Sequence, residues 1–427
     1  MFKIKDIFHR TIKGELASKS LLYLFINGCN AAIPFLMLPL LTRYLPPKEY
    51  GVWGLFIAIT SFLAPLASLG LDNAVGRKYF DLAQEDFRKY IGTTLIINTA
   101  VFVLTLMFVF FNASWIASIA NLPGWWIYAM PFFVFANMVV GKIQTFAVTS
   151  HRPVFYSFCI LSNRIIQNIM VLILLIVLSA GVDSLLASYL FSLYLVLFAG
   201  IFWIYKIGYL KFHFSKTYAK HALNYGIPLI PYTLGLTVID ISDRFFIENM
   251  LGTESVGIYT VAAQVSAAFM LVLSSILMSW CPWVLKRMKT AQSDDDKLLI
   301  VKATYVLLGG VIILSILLSF ILPVVADLFV SKHFADARNV IPWLVVSLGC
   351  FGLCQILYIF LIHAEKTRTI AKFVLLSFIF DLLMNYFLIR QNGLIGAAQA
   401  RICAYIFMFI CAAIWIARNT DLPWKSK

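Results

Sequence analysis

Two charged residues stand in the middle of runs that are otherwise apolar. Arg164 lies among Asn163, Gln167 and Asn168, and Asp381 lies one helical turn before Asn385. A guanidinium at such a place can grip a phosphate or carboxylate with two parallel hydrogen bonds, and a carboxylate can take a proton or a small cation. A third constellation, "VIDISDRFFIENM" (238–250), spaces Asp240, Asp243, Arg244 and Glu248 by three and four, so a helix gathers them on one broad face. The six histidines form no HxxxH or HExxH pattern, which leaves no metal site to propose.

What must position these residues is set by composition. Of 427 residues 61% are hydrophobic and 13% charged, with mean hydropathy +0.88. Soluble chains carry about 25% charge, so this is an all-α, polytopic membrane protein. Apolar runs long enough to cross a bilayer fall at about 20–42, 50–71, 91–111, 126–147, 155–178, 184–205, 225–247, 257–281, 300–322, 341–362, 370–389 and 397–417, twelve in all. The basic start is followed by a span-length run without a small-residue cleavage site, so residues 1–19 are expected to remain as a cytoplasmic tail. Of 34 Lys and Arg, 26 fall in segments placed inside and five in those placed outside; the other three, Arg164, Arg244 and Arg401, fall within spans. Both termini are therefore expected in the cytoplasm. The net charge of +14 is a topology signal, and no nucleic-acid partner is implied.

Depth then ranks the candidates. At about 1.5 Å per residue, Arg164 lies roughly 14 Å into span five and Asp381 roughly 16 Å into span eleven, both near mid-membrane. Asp240 is about 22 Å along span seven, and Glu248 is at or beyond its outer edge. The Asp240–Arg244 and Arg244–Glu248 pairs read either as a structural ladder or as an outer gate that opens when two halves part. Arg77 and Lys78, just past the inner end of span two, could receive a phosphate, or simply anchor the chain by the positive-inside rule. Arg401, near the outer end of span twelve, is a further cation for an anionic cargo, or snorkels outward. For Arg164 and Asp381 the plain alternative is a structural hydrogen bond inside one lobe.

An internal repeat organises the spans. "LPPKEYGVW" (45–53) aligns with "LGTESVGIY" (251–259) at an offset of 206, and "GVDS" (181–184) with "GLIG" (393–396) at 212. Equivalent turns six spans apart indicate two parallel six-helix lobes around a central cavity. The lobes are expected at 20–206 and 225–417, joined by a basic cytoplasmic linker at 207–224 and followed by a cytoplasmic tail at 418–427. Pro34 and Pro39 in span one, and Pro228 and Pro231 in span seven, would bend their helices. Six of the seven cysteines fall in spans and Cys281 at the end of another, so no disulfide framework is expected. "SDDDK" (293–297) reads as a solvated loop, and Trp125 with Trp126 as an interfacial belt.

At the level of residues, 34–80, including "PFLMLPLLTRYLPPKEYGVW" and "LGLDNAVGRKYF", resembles the N-terminal signature of the polysaccharide transporters in the multidrug, oligosaccharidyl-lipid and polysaccharide exporter superfamily. "DRFFIENMLGTESVGIY" (243–259) resembles the start of their second half, with Asp243 and Arg244 the family-like pair. The resemblance implies a Wzx-type flippase of a bacterial inner membrane. Such a protein carries an undecaprenyl-pyrophosphate-linked O-antigen or exopolysaccharide unit between leaflets by alternating access, with H+ or Na+ as coupling ions and no other cofactor. It also implies contact with membrane lipid, a polysaccharide polymerase and a chain-length regulator. On this reading Arg164 attracts the pyrophosphate, with Arg77, Arg244 and Arg401 as further cations, and Asp381 takes part in coupling. The absence of a GxxxxGK[ST] loop argues against ATP hydrolysis by this chain. The rival readings are a drug exporter of the same superfamily and a polytopic O-antigen polymerase or ligase. Those enzymes resemble proteins with one large outer loop, whereas here every expected outer loop is about 15 residues or shorter.

Overall fold

The computed structural model describes residues 26, 28, 30, 32–120, 122–290 and 293–424. The expected N-terminal tail, the start of span one and the last three residues of the C-terminal tail lie outside them. Among the described residues all regular structure is helical: α1 (Ala32–Tyr44), α2 (Pro47–Ser68), α3 (Leu71–Lys78), α4 (Gln84–Ala120), α5 (Gly124–Thr149), α6 (Pro153–Leu172), α7 (Asp183–Lys206), α8 (Lys216–Gly226), α9 (Ile230–Leu251), α10 (Thr253–Ser266), α11 (Ala268–Thr290), α12 (Asp294–Phe329), α13 (Ala337–His363) and α14 (Thr367–Asn419), besides short 3-10 and π turns. Ten stretches are long and apolar enough to cross a membrane.

The longest helix is two. α14 has 53 residues, about 80 Å if straight, yet the rings of Phe380 and Phe407 lie 5.3 Å apart. The chain folds back at Gly393, whose φ of 57° and ψ of −135° suit glycine alone. With its two arms counted separately, with α1, and with α8–α9 and α10–α11 each as one traversal, the helices fall on the twelve expected spans. Pro228 and Pro231 flank the join of α8 and α9, where a 3-10 turn at Ile227–Leu229 interrupts the helix. The "SDDDK" stretch is a helix start and not a loop. Ser293 Oγ accepts from the Asp296 amide at 3.1 Å, and Asp294, Asp295 and Asp296 occupy the first turn of α12, where negative charge meets the positive end of the helix dipole.

The described residues form two compact units. One comprises those up to Met37 together with Leu63–Leu229, the other Leu38–Phe62 together with Ile230 onward. The stretch 38–62, which the 20–206 lobe would include, thus belongs to the second unit. In the first unit α3, α4, α5, α7 and α8 bury Val75, Phe87, Tyr90, Val139 and Phe146. In the second, α13 packs between α12 and α14, and α9 lies on α14. Its core includes Phe269, Leu273, Val311, Phe360 and Met408. Val306, Ile313, Leu317, Phe320, Val324 and Leu328 form an exposed stripe along one side of α12. Greasy side chains on the outside are what a lipid-facing helix presents.

The repeat seen in sequence is seen again in packing. A Cβ on Gly51 would stand 1.9 Å from the carbonyl oxygen of Thr253, and one on Gly257 would stand 1.8 Å from that of Pro47. Gly51 and Gly257 are equivalent at the offset of 206, as are Pro47 and Thr253. The starts of α2 and α10 therefore meet reciprocally, and only hydrogen in place of a side chain lets the backbones come so close. Tyr50 adds a hydrogen bond to Gln264 at 2.5 Å. The second repeated turn holds as well: Gly181 and Gly393 both have positive φ, 53° and 57°. Gly257→Ala is expected to destabilise the protein by about 1–3 kcal/mol, since the oxygen it meets is backbone and cannot turn away. Thermal unfolding in detergent, set beside Gly309→Ala, which has open space around its Cβ position, measures this.

Candidate functional site

Polar chemistry collects at separate places in the two units. In the second it centres on Asp243 of α9, a carboxylate 1% exposed. Its Oδ2 accepts from the Tyr259 hydroxyl of α10 at 2.5 Å and from Nη2 of Arg401 on the second arm of α14. Its Oδ1 accepts from the Arg244 amide at 2.8 Å and lies 3.4 Å from Arg244 Nη1. Arg401 Nη2 also donates to the Asp240 carbonyl at 2.7 Å, and the Tyr405 hydroxyl donates to Asp240 Oδ1 at 2.8 Å. Glu248 accepts from Thr253 Oγ1 at 2.8 Å.

Just beside it, Asp381 on the first arm of α14 meets Ser242, the neighbour of Asp243 on α9. It is fully buried, and its Oδ2 accepts from Ser242 Oγ at 2.6 Å and from Asn385 Nδ2 at 2.9 Å. Asp381 Oδ1 and Asn385 Oδ1 are buried and have no hydrogen-bond partner among the described residues. Two adjacent orphaned acceptors are too few to hold a metal ion alone, but they are competent to take a proton or to share a small cation.

Several expectations change here. Arg401 does not snorkel outward: it is 6% exposed and turns inward to Asp243, because a guanidinium in an apolar layer is best satisfied by a buried carboxylate. Arg244 does bond back to Asp240, but through that residue's carbonyl oxygen, at 2.8 Å, and its carboxylate partner is the adjacent Asp243. The expected ladder along one helix is in fact a network joining α9, α10 and α14. These contacts all lie inside the second unit.

In the first unit Arg164, on α6, donates from Nε to Asn30 Oδ1 at 2.9 Å and from Nη1 to Gln167 Oε1 at 3.3 Å, and its guanidinium lies 6.0 Å from the centre of the Tyr189 ring. Beside it opens a cavity of about 210 Å³ lined by Asn30, Asn137, Gln144, Asn163, Arg164 and Tyr189 among others. Arg77, on α3, is exposed and stands 5.7 Å over the Tyr225 ring.

One ionic residue escaped the sequence reading. The 26 basic residues placed inside include Lys142, but it sits in α5 and is 3% exposed, with Nζ on Asn98 Oδ1 and the Asp72 carboxylate as its electrostatic partner. The span at 126–147 already contained it. The charge bias survives its removal from the inner count.

Helices of this length and polarity define a polytopic membrane protein, and comparison with solved structures places its fold among transporters. A lipid II flippase MurJ in an inward closed conformation superposes with TM-score 0.75 at 14% identity, covering 95% of this chain and 88% of that one. An inward-facing multidrug resistance MATE family transporter of the MOP superfamily gives 0.72 at 14%, covering 92% and 96%. A family described as "Polysaccharide biosynthesis protein" matches residues 16–288, and the chain belongs to that family. An uncharacterized membrane protein of Haemophilus influenzae is 21% identical over 370 residues, 85% of this chain and 88% of that protein.

Breaking a buried pair by removing one member leaves the other charge uncompensated, which costs about 3–5 kcal/mol. Arg401→Met and Asp243→Asn are each expected to destabilise by that order, and the double variant by less than their sum. Unfolding of the three variants by SDS titration measures the coupling; strict additivity would mean the two groups do not act as a pair.

Proposed function

We propose that this protein is a flippase for a lipid-linked oligosaccharide, moving an undecaprenyl-pyrophosphate-linked unit of an O-antigen or exopolysaccharide from the cytoplasmic to the periplasmic leaflet of a bacterial inner membrane. The observation that carries the reading is the polar cavity around Arg164, which is cationic and amide-lined inside an otherwise apolar bundle. A hydrated, anionic head group needs such a place on its way through hydrocarbon, whereas the lipid chains can remain in the bilayer. Membership of a polysaccharide biosynthesis family and a fold like that of a lipid flippase support the same cargo. The distribution of Lys and Arg supports cytoplasmic termini.

On this reading Arg164 meets the anionic head group inside the membrane, and Arg77 meets it at the cytoplasmic mouth. Arg244 and Arg401 are engaged by Asp243 and the Asp240 carbonyl, so they stabilise the second unit and are not free for cargo. Asp381, with its open Oδ1, is the residue through which H+ or Na+ would be coupled. A drug exporter of the same superfamily is the alternative, and a polymerase or ligase is a weaker one; a polymerase and a chain-length regulator would be partners of the flippase.

Proteoliposomes loaded with defined lipid-linked oligosaccharides, assayed for leaflet accessibility with and without ion gradients, test the proposal. Arg164→Ala is expected to slow translocation roughly tenfold or more at equal protein level, with Arg164→Lys milder. Transport unchanged in both variants removes the role of Arg164. Asp381→Asn, which keeps the shape of the group, is expected to abolish the dependence on pH or sodium, and an unaltered profile removes the coupling role. No movement of any lipid-linked glycan, with efflux of small drugs instead, decides for the exporter.

A further inference from the structure

The cavity beside Arg164 is more specific than a place for negative charge. Its volume of about 210 Å³ lies below the roughly 300–1,000 Å³ of pockets that hold drug-sized ligands, so it accommodates one ring and not an oligosaccharide. Its lining contains one cation. Among the described residues no carboxylate lies within ion-pair distance of Arg164, and with Nε on Asn30 and Nη1 on Gln167, Nη2 has no protein acceptor. A single monodentate or bidentate anion can complete that guanidinium.

The other polar groups are carboxamides. Asn137 uses Nδ2 on the Phe133 carbonyl at 3.0 Å, which leaves its Oδ1. Asn163 accepts from Ser192 Oγ at 2.9 Å, which leaves its Nδ2. Among the described residues Gln144 has no hydrogen-bond partner, and it brings both a donor and an acceptor. A mixed set of donors and acceptors matches hydroxyl groups, each of which gives and receives a hydrogen bond. It does not match a pyrophosphate, whose oxygens only accept, which carries more than one negative charge and which would face the amide oxygens unfavourably. The Tyr189 ring supplies an apolar wall against which the C–H face of a sugar can lie.

We propose that this cavity is a subsite for a single acidic monosaccharide residue, with its carboxylate on Arg164 and its hydroxyls on Gln144, Asn137 and Asn163. The assignment rests on the flippase reading and narrows it: the oligosaccharide carried would include a uronic acid or a sugar of like charge, and its pyrophosphate would be held elsewhere.

The test uses the full chain in nanodiscs of zwitterionic lipid and saturation-transfer NMR with galacturonate and galactose, which differ in one carboxylate. Galacturonate is expected to bind at least about tenfold more strongly than galactose, to fall to the galactose level in Arg164→Gln, and to resist displacement by inorganic pyrophosphate at equal concentration. Gln144→Leu is expected to weaken both sugars. Equal binding of the two sugars by the unaltered protein, binding of neither, or displacement of galacturonate by pyrophosphate would each overturn the assignment, and none of these readouts depends on whether a variant folds. The outcome separates from that of the leaflet assay. Sugar bound at Arg164 without translocation removes the flippase and keeps the subsite, whereas translocation without sugar binding removes only the subsite.

Discussion

The second unit depends on one carboxylate. Asp243 is sealed from solvent and receives two arginines, a tyrosine hydroxyl and a backbone amide, drawn from α9, α10 and the second arm of α14. In hydrocarbon none of these groups has water to fall back on, so each must find its partner in the protein. The demand is mutual: Arg401 needs Asp243 as much as Asp243 needs Arg401. A single acid on α9 thereby ties α10 and α14 to it, beside the buried cluster of Ser242, Asn385 and Asp381. The first unit has a counterpart in Lys142, which donates to Asn98 and lies in the field of the Asp72 carboxylate. In both units the ionic residues are spaced among helices that otherwise touch through apolar side chains.

Much of this architecture was legible in the chain. Hydropathy alone located the long apolar helices, because the length of a crossing is set by the thickness of the bilayer and not by tertiary contacts. The repeat was visible in its glycines, and two of them, Gly51 and Gly257, prove to be points of close backbone approach. Mid-membrane depth singled out Arg164 and Asp381, and both are where polar groups converge. What sequence could not supply was partnership. Spacing of four suggested Asp240–Arg244 and Arg244–Glu248 pairs within the 238–250 helix, but the carboxylate that both Arg244 and Arg401 meet is Asp243, and Arg401 stands more than 150 residues away on another helix, where spacing along one helix cannot point. Lys142 was missed for a different reason. Counting charges by loop assumes that lysine belongs to a loop, and a lysine with an acid and an amide beside it does not.

Family membership and fold bear on function at different levels. The family relates the chain to polysaccharide biosynthesis, while the resemblance in fold extends to both a lipid flippase and a multidrug transporter, which do not share a cargo in their descriptions. Discrimination between cargoes falls to side chains. A cavity with one guanidinium and several carboxamides favours hydroxyl-rich, singly charged groups over cationic or purely apolar ones.

The reciprocal packing of Gly51 on Thr253 and of Gly257 on Pro47 has a consequence for the history of the molecule. After a duplication, two copies of a segment are ordinarily at liberty to diverge, each answering only to its own surroundings. Here each copy is the surroundings of the other. A bulkier residue admitted in one half strikes a backbone carbonyl of the other, which stands there whatever side chain that half carries, so neither glycine can be released by a change in its twin.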